Sequence, residues 1–168
     1  MKKQIKFMVM DVDGTLTDGK IYMGINGEIL KAFDVKDGYG IKKILKENRI
    51  CPVIITGRKS PIVEMRGREL GITDIYQGIE NKLYKLQEVL DSYSKKEGRE
   101  YSFEDVAYIG DDIADLQCLK AVREAGGIAG CPADAVCEVK EVSQYVCNKT
   151  GGTGAVREFI DWICENCL

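Results

Sequence analysis

The chain has 168 residues, enough for one domain around one core, and its 24 Lys and Arg against 27 Asp and Glu leave a formal net charge of −3. That balance gives no basic footprint for nucleic acid, and no apolar run approaches the ~20 residues of a membrane span. The chain has no histidine, which excludes Ser-His-Asp and Cys-His catalysis and any His-based metal site.

Met1-Lys2-Lys3 precedes an apolar run that is too short for a signal peptide and is interrupted by Asp11, so a cytoplasmic protein is expected. Residues 5–10 read as a buried strand ending in Asp11-Val12-Asp13-Gly14-Thr15. Residues 21–24 and 28–33 read as a hairpin with Asn26-Gly27 as its turn. A helix is expected from about Asp37 to Asn48, and then a strand, the nearly continuous apolar run Cys51 to Ile55. Ser60 to Leu70 reads as a helix with Pro61 at its first position and Gly71 ending it. Ile72 to Tyr76 reads as a short strand, Asn81 to about Lys95 as a helix, and Lys95 to Ser102 as a polar loop. The strand Val106 to Ile109 and the helix Asp112 to Ala121 follow. Beyond them lie a short strand at Gly127 to Ala129, a helix at Asp134 to Val139, an edge strand at Gln144 to Val146, and a last helix, Ala155 to Cys164, after the flexible Gly151-Gly152-Thr153-Gly154.

This β-α alternation predicts an α/β fold, a doubly wound parallel sheet in a single domain over 1–168. The hairpin, about 20–34, is an insertion, and the glycine-rich tail and last helix occupy about 150–168. Seven cysteines, an odd number, read mainly as small buried hydrophobes. Cys164-Glu165-Asn166-Cys167 lacks the strand-then-helix setting of a redox motif.

In such a sheet ligands bind beyond the carboxyl ends of the strands. Asp11 and Asp13 follow the first strand, and residues i and i+2 of a strand point the same way. Two converging carboxylates need a cation or a proton between them, and Mg²⁺ is the usual ion of an all-oxygen site. Thr56-Gly57-Arg58 follows the second long strand, Asn81-Lys82 opens a helix, and Gly110-Asp111-Asp112 with Asp115 follows the strand at 106–109. Taken singly each has a plainer reading. Asp-x-Asp-Gly can be a solvated turn, Thr56 or Asp112 a helix cap, Lys82 a solvated helix residue, and Asp115 an acid on a first helical turn. Together they describe a carboxylate cation site beside an anion site, which fits a Mg²⁺-bridged phosphate.

Asp11-Val12-Asp13-Gly14-Thr15, Ile55-Thr56-Gly57-Arg58, Lys82 and Gly110-Asp111-Asp112-Ile113-Ala114-Asp115 resemble the four motifs of the haloacid dehalogenase superfamily. The resemblance implies a Rossmann-like domain, Mg²⁺ and phosphoryl transfer through an aspartyl-phosphate. It makes Asp11 the nucleophile and a metal ligand, and Asp13 the general acid/base with its backbone carbonyl on the metal. It makes Thr56 and Lys82 binders of the phosphate and Asp111 a further metal ligand, with Asp112 and Asp115 in support. The intervals between motifs leave room for a hairpin, a helix and a short strand, so no cap domain is expected.

The finer pattern includes Asp18-Gly19-Lys20-Ile21-Tyr22, Lys36-Asp37-Gly38, Thr56-Gly57-Arg58-Lys59-Ser60 and Gly151-Gly152-Thr153-Gly154-Ala155-Val156-Arg157-Glu158. It resembles the 3-deoxy-D-manno-octulosonate 8-phosphate phosphatases. That resemblance implies a homotetramer with the hairpin in a central barrel, and a glycine-rich segment reaching an adjacent active site. The substrate it implies is a small phosphorylated sugar acid, bound through Thr56, Gly57, Arg58, Asn81, Lys82 and Arg157. Arg58 and Arg157, with Lys59, are candidates for its carboxylate. The alternatives are a nine-carbon, sialic-acid-type 9-phosphate as substrate, a response-regulator-like phosphoacceptor, and a non-catalytic oligomerisation or regulatory module of the same fold.

Overall fold

The structure, a computed structural model, describes residues 4–167. Six parallel strands form one sheet: β1 (Phe7–Met10), β4 (Cys51–Thr56), β5 (Asp74–Gln77), β6 (Val106–Ile109), β7 (Ile128–Cys131) and β8 (Tyr145–Val146), in the order β5-β4-β1-β6-β7-β8. β1 is central, with Phe7 in register with Cys51 on one side and Val106 on the other. Chain order reverses at β1, because the connections first build toward β5 and then return to lay β6, β7 and β8 on the other side. That reversal opens a crevice at the tips of β4, β1 and β6.

β1 is buried throughout and feeds both faces of the sheet. Met8 and Met10 join a core with Ile41, Leu45, Ile54, Val63, Phe159 and Ile160. Phe7 and Val9 join the opposite core with Val53, Ile55, Leu86, Leu90, Leu119 and Val122. The helices divide accordingly. One face carries α1 (Val35–Tyr39), the π-helical turn Gly40–Ile44, α2 (Leu45–Glu47), α3 (Pro61–Glu69) and α7 (Ala155–Asn166). The other carries α4 (Lys82–Glu97), α5 (Ile113–Glu124) and α6 (Cys137–Val142). Both faces of a parallel sheet are thus covered, as its continuous apolar strands require.

The expected elements are present, with shifted ends. The expected helix from Asp37 to Asn48 starts two residues earlier and is wound as a π-helix at Gly40–Ile44, against Arg157 and Ile160 of α7. β5 begins at Asp74, not Ile72, and Ile72 is a buried core residue before it. α4 runs on to Glu97, shortening the expected loop, and a 3₁₀ turn, Phe103–Asp105, leads into β6. α6 starts at Cys137 because residues 132–136 first turn at Pro132 and Ala135.

The only insertion between β1 and α1 is the hairpin of β2 (Tyr22–Gly24) and β3 (Gly27–Leu30), and β4 and β5 are joined by α3 alone, so no cap domain is present among the described residues. The turn centres on Ile25-Asn26, with Gly27 at φ 114° as the first residue of β3. β3 ends at Leu30, short of the expected Phe33, which packs instead on the core of its own domain. Ile21, Met23, Ile25, Ile29 and Leu30 stay exposed. Cys118, Cys131 and Cys147 are buried, Cys51, Cys164 and Cys167 are partly so, and Cys137 is exposed. No helix among the described residues is long and apolar enough to cross a membrane.

Candidate active site

Asp11 leaves the end of β1 with its amide donating to Ile109 O, so the first acid sits over the middle of the sheet. Lys82, the first residue of α4, reaches it from the side. Its Nζ lies 2.8 Å from Asp11 Oδ1 and 2.8 Å from Asp115 Oδ1, and all three side chains are buried. Tyr108, fully buried in β6, donates its hydroxyl to the same Asp115 oxygen at 2.8 Å. The other oxygen, Asp115 Oδ2, accepts the amides of Asp111 at 3.2 Å and Asp112 at 3.4 Å. Asp112 caps α5, and its Oδ1 accepts the Ile113 amide at 2.7 Å. Asp112 and Asp115 thus close a reciprocal cap that fixes the loop after β6.

Carboxylate oxygens of Asp11, Asp111 and Asp115 all lie within 4.8 Å of one another. Both Asp115 oxygens are committed to hydrogen bonds, which leaves Asp11 and Asp111 as the side chains placed to ligate a cation. Asp111 Oδ1 accepts the Thr15 hydroxyl at 2.8 Å. Burial, with the charge of Asp115 beside it, pushes Asp11 up to about 6 despite Lys82. Burial and the neighbouring Asp11 push Asp111 up to about 7. Burial pulls Lys82 down, but Asp11 and Asp115 outweigh it and hold the ammonium above its ordinary value. Crowded carboxylates with oxygen donors alone are the donor set of a hard divalent ion such as Mg²⁺.

Two glycines let this packing happen. Gly14 has φ 95°, and a Cβ there would lie 2.1 Å from Asp111 Oδ2. Gly151 backs the same loop, where a Cβ would lie 1.9 Å from Gly14 O. Its amide donates to Asp134 Oδ1 at 2.9 Å, and the next amide, Gly152, donates to Thr15 O at 3.2 Å. The glycine-rich segment therefore braces the Asp11–Thr15 loop of its own chain.

The remaining expected residues divide. Thr56 is buried at the tip of β4, followed by the exposed Gly57 and Arg58, and Arg58 Nε lies 3.7 Å from Asp13 Oδ2. Asn81 caps α4 by accepting the Tyr84 amide at 2.9 Å. A polar cleft of about 350 Å³ opens beside it, lined among others by Glu80, Lys82, Ile113 and Gln117. Arg157 lies in the first turn of α7, where its Nε pairs with Asp161 at 2.9 Å and its guanidinium covers the Tyr39 ring. Lys59 follows Arg58, and its side chain packs by Gly78.

Two residues of the site escape a reading of the sequence. Lys31, just past β3, is buried with its ammonium against Asp13 Oδ1, whereas a lysine on an alternating hairpin reads as solvated. Tyr108 reads as core, although a buried tyrosine hydroxyl next to Gly110-Asp111-Asp112 needs a partner, and that was a usable signal.

No family model matches the chain. The 3-deoxy-D-manno-octulosonate 8-phosphate phosphatase KdsC of Salmonella typhi is 44% identical over 159 residues, which is 95% of this chain and 79% of that protein. The crystal structure of the enzyme of that activity from Moraxella catarrhalis, in complex with a magnesium ion, a phosphate ion and KDO, superposes with a TM-score of 0.84 at 40% identity, over 97% of this chain and 87% of that one. A putative hydrolase of the HAD superfamily, subfamily III A, from Legionella pneumophila gives a TM-score of 0.86 at 37% identity, over 97% and 84% of the two chains.

Proposed function

Because the chain belongs to the 3-deoxy-D-manno-octulosonate 8-phosphate phosphatase family of the HAD superfamily, we propose that it hydrolyses that sugar acid phosphate through an aspartyl-phosphate on Asp11. The observation that carries this reading is the buried Asp11–Lys82–Asp115 set at the sheet's reversal point, with Asp111 in the same carboxylate cluster and Asp13 two residues after Asp11.

Lys82 holds Asp11 Oδ1 and so aims the carboxylate. Its positive charge also offsets the repulsion between that carboxylate and the phosphate dianion, in a site where burial strengthens the interaction. The Thr56 hydroxyl and the amides that follow it bind phosphoryl oxygens. Asp11 attacks phosphorus and the ester P–O bond breaks, while Asp13 gives its proton to the leaving alkoxide. Asp13 then takes a proton from water, whose oxygen attacks phosphorus and frees Asp11. Mg²⁺, held by Asp11, Asp111 and the Asp13 carbonyl, would supply further positive charge at the phosphate. The polar cleft beside Lys82 gives room for a hydroxylated leaving group, and Arg58, half exposed beside Asp13, is the candidate for its carboxylate.

The hairpin supports a homotetramer. An isolated two-stranded ribbon that exposes Ile21, Met23, Ile25, Ile29 and Leu30 is poorly stable in water, and burial against other copies removes that surface. The intact acid and lysine set speaks against a non-catalytic module, and the Asp11–Asp13 pair speaks against a slow phosphoacceptor.

The test is phosphate release from 3-deoxy-D-manno-octulosonate 8-phosphate and from N-acetylneuraminate 9-phosphate, with Mg²⁺ or EDTA, using Asp11→Asn as the blank. Fast Mg²⁺-dependent release from the eight-carbon ester is expected. Preference for the nine-carbon ester would correct the substrate. Release from neither, by folded protein, would remove the proposed activity.

A further inference from the structure

The inward side of the hairpin reaches the reacting groups. Lys31 Nζ contacts Asp13 Oδ1 and lies 2.9 Å from Glu28 Oε1, with its side chain 1% exposed. Glu28 is itself held, since its Oε2 accepts the Ser60 hydroxyl at 2.6 Å and its Oε1 lies 3.4 Å from Arg58 Nη2. Ser60 stands at the residue before the first turn of α3 with its hydroxyl turned to Glu28, so one network ties β3, α3 and the loop after β1 together. Burying an ammonium is costly unless carboxylates answer it, and here two do. A lysine whose stem alone was wanted would keep its head in water.

The two oxygens of Asp13 therefore differ. Oδ1 is pinned by a buried cation. Oδ2 faces Arg58, which is 3.7 Å away with its side chain 47% exposed. On the reading that Asp13 carries the proton in this reaction, we propose that Lys31, clamped by Glu28, is a positioning residue that fixes Asp13 by Oδ1 and leaves Oδ2 as the proton-transferring oxygen. In the first step the Asp13 Oδ2–H bond breaks, the proton goes to the leaving oxygen, and Asp13 becomes a carboxylate. In the second step that carboxylate takes a proton from the attacking water as the P–O bond to Asp11 breaks. Both transfers need the same oxygen in the same place, and Lys31 holds it through both.

The test compares Lys31→Met with wild type on the sugar ester and on p-nitrophenyl phosphate, whose leaving group departs without a proton. The variant should lose kcat on the sugar ester by about 100-fold, the scale of positioned proton transfer, with KM little changed. On p-nitrophenyl phosphate it should release a burst of about one p-nitrophenol per site and then turn over slowly, because only the water step needs Asp13. Lys31→Arg should recover part of the loss. Unchanged kcat in Lys31→Met, or equal loss on both esters with no burst, would overturn the proposal. If wild type cleaves p-nitrophenyl phosphate and not the sugar ester, the substrate reading fails, and the burst alone decides the role of Lys31. Should Lys31→Met fail to fold, Glu28→Gln, which loosens Lys31 without removing it, is judged by the same ratio of burst to steady rate.

Discussion

Asp111→Asn should stabilise the protein in EDTA and abolish its stabilisation by Mg²⁺. Burial and Asp11 raise the folded Asp111 from its ordinary 3.8 to about 7. An acid with a raised folded value favours folding in its protonated form. That contribution is complete below about pH 4 and is lost as the pH climbs through 7, so at pH 8 the ionised Asp111 opposes folding when no cation is present. Each pH unit between the two values is worth about 1.4 kcal/mol, which sets an upper figure of about 4 kcal/mol. Asp111 is only partly buried and shares its repulsion with Asp11, so about 2–4 kcal/mol is expected. For a chain of this length that is a rise in Tm of about 5–10 °C. The asparagine keeps an oxygen to accept the Thr15 hydroxyl, so the loop stays tied. The assay is thermal denaturation from pH 4.5 to 8, in EDTA and in Mg²⁺. Wild type should lose stability in EDTA as the pH rises and regain it with Mg²⁺, whereas the variant should be flatter and indifferent to the ion. A variant that melts below wild type in EDTA at pH 8, or still gains from Mg²⁺, would refute the reasoning.

Lys82→Met should lower kcat by about 10²–10³-fold, the scale of losing one preorganised charge, while retaining the fold by circular dichroism. Gly151→Ala should cost about 1–3 kcal/mol by overpacking against Gly14 O and should reduce kcat by displacing the loop that carries Asp13, seen by chemical denaturation and steady-state rates. Ile29→Asp should change the stability of the single chain by less than about 0.5 kcal/mol, since the side chain is exposed, yet reduce the molar mass seen by light scattering. Unchanged mass would remove the hairpin from the proposed assembly.

Strand tips were legible because they combine a continuous apolar run with an abrupt polar end. Asp11, Thr56 and Asp111 all fall there, and the topology brings them to one crevice. Lys82 was legible only in company: alone at the start of a helix it reads as a solvated residue, and the set of motifs around it supplied its role. What escaped the sequence depends on contacts between distant segments. Lys31 is separated from Asp13 by the whole hairpin, and its burial follows from the chain's return past β3 onto Asp13 and Glu28. The π-helical turn at Gly40–Ile44 likewise answers to α7, more than a hundred residues later, and no local propensity marks it. Arg157 stands out by its place after the glycine-rich run, whereas its pairing with Asp161 one turn on and its cover over the Tyr39 ring appear only in the fold.

The full commitment of Asp115 has a consequence for how the protein is loaded. With both its oxygens occupied by Lys82, Tyr108 and two amides, only two side-chain carboxylates are offered to an ion that prefers six oxygen neighbours. An ion held by Asp11, Asp111 and the Asp13 carbonyl would then have room for further oxygen donors from solvent or from the phosphate ester. Ion and ester should therefore bind synergistically, each tightening the other by the same factor. The half-saturating Mg²⁺ concentration measured at high substrate should then fall below that measured by equilibrium dialysis of the free protein.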